Sequence, residues 1–280
     1  MQTHQIITKK NGQDVAIGAL NLFTKYDTSL SVDNIIDRFL NEIPHSESIG
    51  YAGFGEQQYL KDSLLYNISD PNQDPSLVST FNIPEKELIA TVEQALQLCH
   101  EHIETPPTNI FLFPTLSAFV QEKMGGVSGY TPYKNTLLLF VSPTETEHWK
   151  RALTETICHE FLHTVMDNFY ERQNLLDDLV FEGVAESFVS FLFGERPDMP
   201  SQALSQGDAL EWYRKLREHF QETDIYYPVF LEGKDYPLWA GYAVGYRLVE
   251  AYRKRYPETS WNEIVRLKPE EILAGSDFRE

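Results

Sequence analysis

The sequence predicts an α+β fold in which a small mixed β-sheet is followed by a mainly helical half. Three observations predict it. Short apolar runs bounded by Gly, Pro and Asn fall before residue 145, at VAIGALNLF (15–23), TNIFLFP (108–114) and NTLLLFVSP (135–143). Long stretches of helical spacing follow, of which LLDDLVFEGVAESFVSFLF (175–193) is the strongest. The 280 residues, 42% hydrophobic and 13% aromatic, suffice for one large domain or two modest ones around a buried core.

Taken in order, 15–23 reads as a strand, and SVDNIIDRFLNEI (31–43) places Ile35, Ile36, Phe39 and Leu40 at helical spacing. The turn-rich SDPNQDPS (69–76) marks a boundary between an N-terminal mixed region, 1–80, and a main domain, 81–280. Asn82 and Glu85 read as a capping box around Pro84. The helix they open has Leu88, Ile89, Val92, Ala95, Leu96 and Cys99 on its apolar side. Residues 108–114 form a short buried strand, and the glycine-rich loop MGGVSGYTP (124–132) leads into a second one at 135–143. Thr144 and Glu147 read as another capping box, for a helix running to about Tyr170. The helix at 175–193 stops at Gly194. Helical patterns continue over 208–222 and 237–256, with two short turns after Ser260.

Charge and composition narrow the function. A formal charge of −19 opposes binding to nucleic acid or to an anionic membrane. There is no run of 18 apolar residues to span a membrane and no signal-peptide pattern at the start, so the expectation is a cytoplasmic protein. Cys99 and Cys158 are expected to be two separate reduced thiols.

The chemistry concentrates in ICHEFLHTV. His159 and His163 are four apart on a helix, so both imidazoles reach one divalent cation, for which zinc is the expected ion at one per chain. Glu160 projects beside that cation, where it can polarise a bound water. The competing reading is two core histidines with a solvated Glu160. An elongated motif would need Gly and His at positions held by Met166 and Phe169, so the third ligand must come from elsewhere. Glu182 and Glu186 share a face of the next helix. Glu182 is assigned as ligand, and Glu186 as acceptor for the free ring N–H of a ligand histidine. The reverse assignment stays open, and Asp177, Asp178, His148 and His219 are fallback ligands. Cys158 points about 100° away from His159 and is a poor fourth ligand.

HEFLH followed by EGVAE resembles the gluzincin pattern of zinc peptidases. The blocks GGVSGYTP, NTLLLFVSP, ICHEFLHTV, LVFEGVAESF, WAGYAVGYRLVEAY and PEEILAGSDF resemble, in order, a family of unknown-function domains described as predicted zinc-dependent proteases. The likeness covers roughly residues 85 to 278. It implies a zincin-like fold in which the strand before the metal helix is a sheet edge beside the cleft. NTLLLFVSP fits that position, which makes Leu138 a candidate substrate contact. Gly126 and Gly129, with Tyr130, would let backbone approach an extended peptide, or would simply make a turn. Tyr242-x-x-Gly245 is similar to a segment of related aminopeptidases whose tyrosine donates to the oxyanion. Tyr246 shares its helix face, so either phenol could serve. The aminopeptidase Gly-x-Met-Glu-Asn loop is absent, which favours an endopeptidase over an aminopeptidase. The resemblance therefore implies hydrolysis of a peptide or protein substrate by a zinc-activated water, with Glu160 as general base. The alternative is a metal-stabilised, non-hydrolytic peptide-binding or regulatory domain on the same fold.

Overall fold

A computed structural model describes residues 4–7, 12–16, 18–24, 31–42, 57–104, 108–133, 135–143 and 148–278. Their backbone falls into two compact units, Met1–Thr164 and Val165–Glu280.

Among the described residues of the first unit, five strands form one mixed sheet in the order β1-β2-β3-β5-β4. β1 (His4–Ile7) and β2 (Gly12–Ala16) are antiparallel, β2 runs parallel to β3 (Asn109–Pro114), and β3 runs parallel to β5 (Thr136–Val141). β4 (Val127–Tyr133) closes the order, antiparallel to β5. The mixed sheet agrees with expectation, but the edge does not. NTLLLFVSP supplies β5, which lies between β3 and β4, and the edge is the segment expected to be a glycine-rich loop. The physical reason is visible in composition. All six residues of β5 are buried, as a strand paired on both sides and covered on both faces requires. β4 carries Pro132, which has no N–H to offer a further strand and belongs on an edge.

VAIGALNLF is also not one strand. β2 ends at Ala16 and helix α1 (Gly18–Thr24) begins, burying Ala19, Leu20, Leu22 and Phe23. A short apolar run does not distinguish a strand from a buried helix by periodicity. Helices α2 (Val32–Glu42) and α3 (Gln57–Ile68) join α1 on one side of the sheet. There Ile36, Phe39 and Leu64 pack with Phe111, Phe113, Leu138 and Phe140. Phe113 stacks on Phe140 at 5.5 Å and takes the edge of Phe39 at 4.8 Å. Full burial of each such ring is worth about 1.5–3 kcal/mol. The described residues among the first eighty thus extend the sheet and cover one face of it. The turn-rich 69–76 is tied down, since Asp70 accepts from the Ala118 N–H and Ile68 from the Leu116 N–H.

Helix α4 (Glu85–His102) starts after Pro84 without a side-chain cap, so the expected Asn82–Glu85 box does not form. The short helix α5 (Ala118–Lys123) precedes β4, and α6 (Trp149–Met166) follows β5. The proposed cap residues Thr144 and Glu147 lie outside the described residues. Cys99 and Cys158 are free and buried, but they are not separate: their Sγ atoms are 3.5 Å apart where α4 meets α6.

The second unit is helical. α7 (Leu175–Phe193) has the bounds its sequence predicts, with the Asn174 side chain accepting from the Asp177 N–H and Gly194 ending it at φ 79°. α8 (Gln206–Leu216), α9 (Ala240–Arg255), α10 (Trp261–Ile264) and α11 (Pro269–Gly275) complete it. α7 and α9 cross with backbones in contact. A Cβ on Gly245 would lie 2.0 Å from the Leu179 carbonyl oxygen, and one on Gly183 would lie 2.3 Å from that of Gly245. No helix of the described residues is long and apolar enough to cross a membrane.

Candidate metal centre

α6 is apolar around most of its circumference, with Ile157, Phe161, Leu162 and Val165 buried, so its polar residues need partners. His159 and His163 stand one turn apart, and their Nε2 atoms are 3.0 Å from each other. Two nitrogens on one tetrahedral zinc, each at 2.0–2.1 Å, would be separated by roughly 3.3 Å. Hence the pair is within a few tenths of an ångström of the spacing the ion requires.

Glu160, 7% exposed, turns toward β4. The Thr131 hydroxyl donates to its Oε2 at 2.7 Å, and the Glu160 carbonyl oxygen is 3.2 Å from the same Oγ1. Two residues earlier on that face is Gly129, where a Cβ would sit 2.4 Å from Glu160 Cγ. The glycine therefore makes room for Glu160. Gly126, with φ 88°, belongs to the turn that follows α5, its N–H bonded to Val120 O and its carbonyl accepting from Ser142. Tyr130 and Leu138 pair across the sheet on the opposite face from Gly129. Leu138 is buried in the aromatic core and Tyr130 packs against it, so neither is brought to Glu160.

In the second unit, Asp178, Glu182 and Glu186 repeat every four residues along α7, and all three are buried. Glu182 Oε1 accepts from the Tyr226 phenol at 2.9 Å. Burial, then the Glu182 carboxylate, pushes that phenol well above its usual range, so it remains a donor. Tyr226 stacks on Phe230 at 4.5 Å, Tyr242 meets Phe230 edge-on at 5.1 Å, and the two phenol oxygens are 3.4 Å apart. Tyr242 is thus linked to Glu182 through Tyr226. Tyr246, one turn further along α9, donates instead to Glu195. Glu186 Oε2 accepts from the Ser201 N–H at 3.2 Å. Arg172 lies over the Phe181 ring and 3.4 Å from Asp178. Burial opposes its charge, but the carboxylates of Glu182 and Asp178 outweigh that and raise its pKa. Burial pushes Asp178 up to about 6 against the pull of Arg172.

Ligand atoms of His159, His163 and Glu182 all lie within 4.8 Å of one another. Two imidazoles and a carboxylate are the nitrogen and oxygen donors zinc accepts, and three protein ligands leave a fourth position open. The group includes Glu182 and not Glu186. Among the fallback ligands, His148 is exposed, His219 pairs with Glu222, Asp177 accepts from the Gln173 N–H and Asp178 meets Arg172. Thr131, Arg172 and Tyr226 are not among the site residues that the sequence points to. The alternation of Gly129 and Thr131 before Pro132 was an available strand signal, whereas Tyr226 opens a short helical turn that runs into a π-helix, Pro228–Glu232, too brief to show a periodic pattern.

A family model described as Predicted Zn-dependent protease (DUF2268) matches residues 88–274. The chain belongs to this family. The matched span runs from α4 to α11 and takes in both histidines, Glu160, Glu182 and Tyr242. No curated protein and no solved structure matches the chain.

Proposed function

We propose that this chain is a zincin-like zinc peptidase that hydrolyses internal bonds of extended peptides. The observation that carries the reading is the grouping of His159, His163 and Glu182 around one point, with Glu160 on the same turn of α6. When bound there, zinc supplies a Lewis acid that polarises a carbonyl and brings the pKa of water toward about 7. Glu160 takes a proton from the attacking water as its oxygen adds to the peptide carbonyl carbon. The Tyr242 phenol donates to the developing oxyanion. As the C–N bond breaks, Glu160 returns the proton to the leaving amine, so that water is consumed and an acid and an amine are released. A peptide paired along the outer edge of β4 would run past Glu160 in both directions, which favours an endopeptidase. Glu186 supports one of the ligand histidines in this reading.

Elemental analysis of purified protein tests the metal, with close to one zinc per chain as the expected value. A peptide library then tests hydrolysis. Glu160→Gln should keep the zinc and lose turnover, and Glu182→Ala should lose both. Full activity in Glu160→Gln would overturn the mechanism, and zinc without cleavage of any peptide would leave a metal-stabilised binding domain.

A further inference from the structure

A glutamate has three rotatable side-chain bonds, and a general base must be held to within about 0.5 Å of its working position. We propose that Thr131 aims the Glu160 carboxylate, a positioning role that rests on the peptidase reading above. β4 grips Glu160 at two points on one face. The missing side chain of Gly129 gives Cγ its place, and the Thr131 hydroxyl donates to Oε2 at 2.7 Å. A hydroxyl donating to a carboxylate makes a short, charge-assisted bond, stronger than one between neutral groups. With Oε2 held in this way, Oε1 is the oxygen left to meet the reacting water.

The strand is shaped for this contact. From Tyr130 to Tyr133 there are three steps along β4, while their partners Leu138 and Thr136 are two apart on β5. The extra residue falls at Thr131 and Pro132, and such a bulge bends a strand and re-aims its side chains. Pro132 has no N–H to lose from the ladder. β4 is also the sheet edge on which an extended peptide would pair, so one strand sets the register of the substrate and the direction of the base.

The test compares Thr131→Val, which keeps the shape, with Thr131→Ser, which keeps the hydroxyl. Thr131→Ala replaces the valine variant if the second methyl prevents folding. On a peptide that the unmodified protein cleaves, the valine variant should lose about 100-fold in kcat with KM and zinc content unchanged. The serine variant should recover to within about threefold of the unmodified rate. Crystal structures of the zinc-loaded forms should show the Glu160 carboxylate displaced in the valine variant and in place in the serine variant. An unmoved Glu160, an undiminished kcat, or a loss that serine does not rescue overturns the proposal. If the unmodified protein cleaves no peptide, the peptidase reading falls, and the position of Glu160 in the two variants alone decides the role of Thr131.

Discussion

Tyr226 shows how much one side chain outside the motif can contribute. Its phenol is kept protonated by burial and by the Glu182 charge, and it donates to a carboxylate oxygen of Glu182. On the proposed reading of Glu182 as a zinc ligand, a group that orients it in this way is worth about 10–100-fold in metal affinity. Tyr226→Phe should therefore weaken zinc binding by about that factor, measured by competition with a chromogenic chelator, while Tyr227→Phe, at a half-exposed neighbour, should not. Asp178 gives a pH prediction for the zinc-free protein. Its native carboxyl titrates at about 6, above the 3.8 of an unperturbed aspartate, chiefly because it is buried. Between those values the unfolded chain has released a proton that the native state retains. The contribution of Asp178 to stability is therefore complete below about pH 4 and declines as pH rises through 6. Asp178→Asn should lose less melting temperature than the unmodified protein between about pH 4.5 and pH 7.

At the scale of elements, two glycines decide how the acidic helix meets the tyrosine helix. Gly183 stands between the acids of EGVAE and Gly245 lies three residues after Tyr242, and their backbones touch where α7 crosses α9. That crossing brings Glu182, Tyr226 and Tyr242 into one hydrogen-bonded and stacked group. A methyl at Gly245 would collide with the Leu179 carbonyl, which is backbone and cannot swing aside. Gly245→Ala should cost about 1–3 kcal/mol or more in urea unfolding. Gly207→Ala in α8, where the nearest atom is 4.0 Å away, should be neutral or slightly stabilising. β4 is the second such element. Its contact with Glu160 is made through Gly129 and through Thr131, which lies in the bulge beside Pro132.

At the scale of the whole molecule, the proposed use of His159, His163 and Glu182 as zinc ligands would couple metal binding to folding, since an unfolded chain does not hold these donors within reach of one ion. Zinc at a thousandfold its Kd should then add about 4 kcal/mol to stability, read as a chelator-sensitive rise in melting temperature. His163→Ala should abolish that rise without removing the α1–α3 core, in which Phe39, Phe113 and Phe140 are buried independently of the site.

Part of the local structure was already determined by the sequence, though not the helix within 15–23 or the strand within 124–132. Four-residue spacing put His159 and His163 together, Asn174 and Gly194 bounded α7, and Glu182 followed at a distance that allowed it to return to them. These are relations within one helix or between neighbours in the chain, where backbone geometry alone sets direction. Only the tertiary structure decided that β5 is interior and β4 the edge, because strand order depends on pairing between segments far apart in sequence. It also decided that Thr131 meets Glu160, that Tyr226 meets Glu182, and that Tyr246 turns to Glu195. A hydroxyl leaves no periodic trace of its partner. Its direction follows from the packing of the backbone around it, and at this site a bulge and a glycine crossing supply that packing.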